Sequence, residues 1–132
     1  GGAGRYRGGL GQNMDVGVTE GHEFFLQAMF DRLFHPARGR HGGGSGAPTT
    51  IAREDGTVMR GKGKQFIGHG HYVEMAFPGG AGYGQPEERD RALVRRDLAH
   101  GYITAEQAAE NYGLGTAEIE EILQLSEEGA DF

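Results

Sequence analysis

The chain has 132 residues, of which 26 are glycine, about one residue in five where soluble proteins average about 7%. It contains no cysteine, which excludes disulfides, thiolate metal sites and a cysteine nucleophile. The formal net charge of −6 is unevenly spread, because residues 1–80 carry +2 and residues 81–132 carry −8. No apolar run approaches the roughly 20 residues of a membrane span, and no secretory signal pattern opens the chain. We therefore expect a cytoplasmic protein without a membrane partner.

The abundance of glycine also bears on whether the chain folds alone. Glycine contributes no side chain to a core and loses more backbone entropy on folding than any other residue. The chain moreover begins at Gly1, without an initiator methionine. The glycine content predicts a poor independent folder, and the missing methionine indicates a trimmed or processed product. We therefore expect the chain to complete a larger assembly.

The first half is predicted to form short strands joined by glycine-rich loops. Residues 16–19 and the stretch 66–77 have the composition of strands. The apolar run at residues 24–30 fits a buried strand or a helix, and we favour a strand. Residues 41–48 have no periodicity and are predicted to be a loop.

The second half is predicted to be helical. Residues near 87–100 place apolar side chains three to five positions apart, which indicates a first helix. Thr104 and Gln107 match a capping box, which predicts a second helix that ends at Gly113. Thr116 is predicted to cap a third helix.

These elements predict an α+β fold, with glycine-rich β segments and long loops over about residues 1–84 and then a small C-terminal helical region of two to three helices. We divide the chain into residues 1–86, which would complete a larger subunit, and an acidic helical segment, residues 87–132. From Gly101 onward there is no lysine or arginine, against eight acidic residues. Because phosphate contacts need cations, we expect no nucleic-acid partner.

Two glycine clusters are candidate anion sites. In the first, residues 1–11, backbone amides together with Arg5 and Arg7 on one side of an extended segment could bind an anion. It lacks the Gly-Lys-Ser/Thr of a Walker loop and the strand–helix context of a dinucleotide site, so we favour a structural turn or a loop buried between subunits. The second cluster, residues 78–84, could present amides near a helix N-terminus. There we favour a tight crossover that needs glycine for close packing.

His69 and His71 are the candidate metal ligands. Residues i and i+2 of a strand face the same side, so two imidazoles could share one zinc or manganese ion. Further ligands would be required, and His41, Asp55 or Glu74 are conceivable donors. We favour the alternative that these are surface or interface histidines.

No nucleophile–base pair can be assigned from the sequence. The two serines, Ser45 and Ser126, lie outside a Gly-x-Ser-x-Gly elbow. Paired carboxylates such as Glu87 and Glu88 fall in acid-rich helices, where a solvated face is the simpler explanation. We therefore predict no catalytic residue in this chain.

The order and spacing of four stretches resemble the C-terminal part of the hydantoinase B/oxoprolinase family. The stretches are residues 1–11, 42–48, 78–90 and 94–114, which together span nearly the whole chain. The sequence departs from the family pattern in two places. His69 and His71 stand where the family usually has small or polar residues, and Ala81 replaces a glycine of the usual four-glycine run.

The resemblance implies that this chain is only a segment of a much longer polypeptide, or the short part of a divided one. The second case is similar to the small α-prime subunit of acetophenone carboxylase, which implies ATP-dependent carboxylation of an aromatic ketone by bicarbonate. The alternative is a fragment of the B-type subunit of an ATP-dependent hydantoinase or 5-oxoprolinase that opens cyclic amides. The resemblance also implies a hetero-oligomer with a larger α-type subunit and other carboxylase subunits. ATP and a divalent metal would be bound mainly by those partners.

Overall fold

Five strands precede three α-helices in the computed structural model, which describes residues 1–129. The strands are β1 (Gln12–Val16), β2 (Phe24–Met29), β3 (Thr50–Arg53), β4 (Lys62–Ile67) and β5 (Val73–Phe77). The helices are α1 (Arg91–Ala99), α2 (Ala105–Tyr112) and α3 (Thr116–Glu127). The predicted α+β class with a C-terminal helical region is confirmed. None of the helices formed by these residues is long and apolar enough to cross a lipid bilayer.

The strands form two small antiparallel sheets that share one apolar cluster. One sheet has the order β1-β5-β3, and the other pairs β2 with β4. Side chains alternate across a strand, so Val73 and Met75 of β5 are buried while Glu74 between them is exposed. They pack with Ile51 of β3 and Ile67 of β4. The cluster therefore holds the two sheets together.

Cross-strand pairing sets the strand boundaries. The strand predicted at residues 16–19 is wrong in position, because β1 begins at Gln12 and ends at Val16. Its register on β5 pairs Gln12 with Phe77 and Val16 with Val73. The strand β1 forms because it pairs with β5, although its polar residues have a weak β propensity.

The other predictions for the first half have mixed outcomes. The strand favoured at residues 24–30 and the loop at residues 41–48 are confirmed. The stretch 66–77 is not one strand, since a turn at residues 68–72 separates β4 from β5. The strand β3 was not predicted at all.

The helices pack around a second apolar cluster. Each contributes two of the buried residues Val94, Leu98, Ala108, Tyr112, Ile119 and Ile122. The capping box is confirmed: the Gln107 amide donates to Thr104 Oγ1 (3.1 Å), and the Thr104 amide donates to Gln107 Oε1 (3.0 Å). The second helix ends as predicted at Gly113, whose φ of 66° lies in the left-handed region that glycine favours.

Two helix starts differ from the prediction. The first helix begins at Arg91, after a single 3-10 turn at Pro86–Glu88, and Asp90 Oδ1 accepts a hydrogen bond from the Ala92 amide (2.8 Å). Thr116 is not a cap but the first residue of α3; Gly115 is the N-cap, with no side-chain hydrogen bond. Glycine is tolerated at this position, so the helix begins without a hydroxyl cap.

A carboxylate on α3 connects it to α1. Glu118 accepts hydrogen bonds from Arg91 and Arg95, at 3.0 Å from the latter's Nη1. The hydrogen bond from Arg91, reinforced by Arg95, holds the pKa of Glu118 below its usual value. The two helices are thus joined by charge as well as by apolar packing.

Candidate functional site

Three glycine-rich segments lie side by side and form what we call the glycine layer: residues 1–11, 39–46 and 78–84. Gly82 donates its amide to the carbonyl of Gly44 (2.8 Å), and Gly44 donates to the carbonyl of Ala3 (2.7 Å). Tyr6 and Tyr83 exchange two backbone hydrogen bonds of 2.9 and 3.0 Å. The three segments are therefore joined to one another by their backbones.

Glycine is required in this layer because the backbones approach too closely for a side chain. A Cβ atom added at Gly82 would lie 1.8 Å from the carbonyl oxygen of Ala3, and one at Gly79 would lie 1.9 Å from that of Gly9. Both distances are impossible for real atoms, so no residue other than glycine fits. The contacts that exclude a side chain are made within this chain, and the predicted contact of these loops with a larger subunit stays a prediction.

The same contacts bear on the anion sites predicted from the two clusters. The amides of Gly2, Gly44, Gly80 and Gly82 each donate to a carbonyl oxygen of the layer itself. An amide already paired in this way offers no hydrogen to a phosphate. These contacts agree with the interpretation that both clusters have a structural role. The four amides do not form a phosphate cradle.

A charged cluster in the interior joins the glycine layer to the first helix. Asp97 of α1 is fully buried and lies between two guanidinium groups. Arg7 Nε donates to Asp97 Oδ2 at 2.9 Å, and Arg89 Nη2 donates to the same oxygen at 2.8 Å. The side chains of Arg7 and Arg89 are only 14% and 8% exposed. Charge-assisted hydrogen bonds of this kind are among the strongest in proteins.

Both arginines also bind backbone carbonyls, which fixes their orientation. Arg7 Nη1 donates to Gly8 O at 2.9 Å, and Arg89 Nη1 donates to Arg5 O at 3.1 Å. The Arg7 guanidinium carbon lies 5.7 Å from the centre of the Tyr102 ring, within range of a cation–π contact. Arg7 thus already holds an anion, which is the carboxylate of Asp97.

Arg5, the other predicted anion ligand, lies apart from this cluster. Its Nη1 is 3.9 Å from Glu88 Oε2, and both side chains are more than half exposed. The structure therefore does not bring Arg5 and Arg7 together on one ligand, although they are two positions apart in an extended segment.

The two predicted metal ligands lie in the turn between β4 and β5, not in a strand. His69 Nε2 is 3.3 Å from Glu23 Oε2, just before the start of β2. His71 Nδ1 is hydrogen-bonded to Glu54, which follows β3. The two imidazoles therefore contact different carboxylates, one beside each sheet.

Glu54 has a second partner besides His71. Its other carboxylate oxygen accepts a hydrogen bond from the Tyr72 amide at 3.1 Å. The hydrogen bond with His71 is the main reason why the pKa of Glu54 lies below its usual value. Within residues 1–129, no three His, Cys, Asp or Glu side chains form a group that could hold a metal ion.

A groove of about 510 Å³ opens beside the glycine layer. The Phe30 and Phe77 rings, 5.6 Å apart, lie on its wall together with Asp31 and Arg32. Asp31 is paired with Lys62, whose hydrogen bond lowers the pKa of Asp31. The groove has aromatic side chains in its wall, and its one carboxylate already has a partner.

Asp97 and Arg89, which carry the buried cluster, are not among the site residues predicted from the sequence. A signal was present for Asp97, because it lies three positions after Val94 and next to Leu98, on the apolar face of α1. An acidic residue on such a face is buried only with a partner. Nothing in the spacing identified Arg7, ninety positions away, as that partner.

Comparisons with known proteins agree with the resemblance seen in the sequence. Residues 1–86 match the hydantoinase B/oxoprolinase family. An uncharacterized protein of Methanocaldococcus jannaschii is 35% identical over 115 residues, covering 85% of this chain and 20% of that protein. The B-type subunit of a putative D-/L-hydantoinase from a Pseudomonas species is 40% identical over 53 residues, covering 40% of this chain and 9% of that protein.

The extent of these matches defines what they show. The chain spans about a fifth of the length of the first relative and less of the second. The longer alignment covers too much of the chain to end at residue 86, so it extends into the helical segment. No solved structure is significantly similar. With the family matching well over half of its residues, the chain belongs to the hydantoinase B/oxoprolinase family.

Proposed function

We propose that this chain is a structural segment of a B-type subunit in an ATP-dependent enzyme complex that opens cyclic amides, such as hydantoins or 5-oxoproline. Family membership supports the subunit type, and the name of the Pseudomonas relative, a putative hydantoinase, supports the substrate class. The larger part of the subunit would form the catalytic site, and the complex would be a hetero-oligomer.

The observation that carries the structural role is the pairing of Arg7 with Asp97. Arg7 is the less exposed cation of the first glycine cluster, and its guanidinium is already bound to a fully buried carboxylate. A substrate anion would have to displace that carboxylate and leave it buried with one partner fewer, which is costly. The cluster is therefore suited to holding the chain together.

Residues 1–129 do not fit the ATP and metal that the family resemblance implies. His69 and His71 contact separate carboxylates, and four amides of the glycine layer are already hydrogen-bonded. We therefore propose that ATP and the divalent metal bind elsewhere in the complex.

A second candidate function is the narrower prediction of a small subunit of an acetophenone carboxylase-like complex. It rests on the sequence resemblance to a divided subunit, because the ordered series of motifs belongs to the family as a whole and supports both candidates. Neither of the two relatives carries a carboxylase name. The two candidates differ in substrate, so one experiment separates them.

The experiment is co-expression of the chain with the larger polypeptide of the subunit, followed by purification and assay. ATP consumption would be measured with hydantoin or 5-oxoproline, and separately with acetophenone plus bicarbonate. We expect activity with a cyclic amide only. Activity with the ketone alone would favour the carboxylase, and absence of a complex would contradict both candidates.

Two substitutions test the structural role within that complex. Arg7→Ala should lower the yield of complex and the activity together, while the KM of the remaining enzyme stays unchanged. His71→Ala, the matched change in the turn after β4, should leave activity near that of the unchanged protein. An intact complex with greatly reduced kcat in either variant would instead place that side chain in the active site.

A further inference from the structure

The smaller sheet exposes one of its two faces. Side chains that alternate along β2 and β4 point away from the sheet core: Phe25, Gln27, Met29, Lys62, Lys64 and Phe66, which we call the outer face. The opposite face places Ala28 and Ile67 in the interior. Within the described chain, β2 and β4 pair only with each other.

A pair of aromatic side chains occupies one end of the outer face. Phe25 and Phe66 are directly opposite each other in the strand register, and their ring centres are 5.4 Å apart. They are 59% and 55% exposed, and Met29 on the same face is 76% exposed. Met29 lies at the other end of this face, beyond the Gln27–Lys64 pair. Scattered exposed apolar residues are normal, but two aromatic rings in contact on an exposed sheet face are typical of a binding surface.

Cations lie beside this aromatic pair. Lys64 Nζ is 4.0 Å from the centre of the Phe25 ring. Lys62, which lies on β4 like Lys64, forms an ion pair with Asp31. Arg60 lies next to them, because its Nη2 donates to the carbonyl of Lys64 at 3.2 Å. An apolar surface with carboxylates at its edge would complement this arrangement.

The length of the relatives indicates what covers the outer face. About four-fifths of the Methanocaldococcus relative lies outside the aligned region, and the outer face belongs to the part of this chain that matches the family. We propose that the outer face binds the larger part of the same B-type subunit, through an apolar patch flanked by aspartate or glutamate. This proposal rests on the proposed function and names the partner surface.

The test measures binding of the full chain to the larger polypeptide of the subunit, produced separately. Phe25→Ser combined with Phe66→Ser should raise the Kd at least about 30-fold, as expected for the loss of an aromatic anchor. Leu123→Ser, which changes a large exposed residue on α3, is the matched control and should leave the Kd within about threefold. Circular dichroism of each variant checks that the strands still form.

Charge reversal provides a second variant that does not alter the aromatic pair. Lys64→Glu should weaken binding at low salt, and the difference from the unchanged chain should shrink at about 1 M salt because the interaction is screened. Arg38→Glu, a reversal at a loop position outside this sheet, is the control and should have little effect.

The possible outcomes separate this inference from the proposed function. If the chain and the larger polypeptide form an active complex that the Phe25 and Phe66 changes leave intact, the inference is wrong and the proposed function stands. If no larger polypeptide binds the unchanged chain, both fail. If the chain alone forms a dimer that the double substitution disrupts, a second copy occupies the face and the inference is overturned.

Discussion

Asp97 binds two arginines that come from different parts of the chain, so we expect its substitution to destabilise the fold. Arg7 precedes the first strand and Arg89 precedes the first helix, yet both donate to the same carboxylate oxygen. Arg89 Nε is buried without a hydrogen-bond partner among the described residues, so one donor of the cluster is unsatisfied. Removing one partner of a buried ion pair is costly, because the remaining charge cannot reach water.

We therefore predict that Asp97→Asn lowers the free energy of unfolding by about 3–5 kcal/mol, since both guanidinium groups lose their carboxylate. Chemical denaturation of the purified protein measures the change. Glu110→Gln, at an exposed position of α2, is the control and should stay within about 0.5 kcal/mol. Equal stabilities for the two variants would mean that the cluster contributes nothing to folding.

Thr104 and Thr116 lie at similar positions near the starts of α2 and α3, but only Thr104 caps its helix. Thr104 Oγ1 accepts a hydrogen bond from the Gln107 amide at 3.1 Å, and so pairs one of the free amides at the start of α2. Thr116 lies inside the first turn of α3, where Gly115 is the N-cap. The sequence pattern is alike at both positions, but only the first hydroxyl is in a capping position.

Thr104→Ala should therefore destabilise the protein by about 1 kcal/mol through loss of the cap. Thr116→Ala should cost less than about 0.5 kcal/mol, because alanine has the higher helix propensity and no cap is lost. Thermal denaturation of the two variants side by side gives the comparison. A larger loss for Thr116→Ala would show that α3 begins at a different residue from the one described.

At the scale of the whole molecule, the glycine layer contacts the helical cluster and adjoins the sheets. One apolar cluster belongs to the sheets and the other to the three helices. The layer reaches the helices through Arg7 and through Tyr112, whose hydroxyl oxygen accepts a hydrogen bond from the Gly4 amide at 3.4 Å. Because the layer has few side chains, its order depends on close backbone contact.

Gly82→Ala should disrupt this layer, because the new methyl group would lie 1.8 Å from the carbonyl oxygen of Ala3. We expect the sheet and helical parts to unfold less cooperatively, with a loss of several degrees in the midpoint of thermal unfolding. Gly9→Ala is the matched control from the same layer, since a Cβ there has no neighbour within 4 Å. Similar melting curves for the two variants would contradict the importance of the close approach.

The sequence predicted correctly those elements of the fold whose signals lie in neighbouring residues. The capping box at Thr104, the left-handed end at Gly113 and the strand at residues 24–30 rest on nearby residues, and all three are confirmed. The position of β1 was wrong, because its boundaries follow from pairing with β5 about sixty residues later in the chain. The placement of His69 and His71 in a strand failed for the same reason.

The sequence by itself determined that this protein has strands before helices, an acidic helical end and the motifs of the hydantoinase B/oxoprolinase family. Those properties follow from composition, short-range periodicity and the order of motifs. Only the tertiary structure decided that the glycine clusters pack against one another, and that Arg7 is bound to Asp97. The physical reason is that contacts between residues distant in the chain depend on backbone approach and burial, which leave little trace in local sequence.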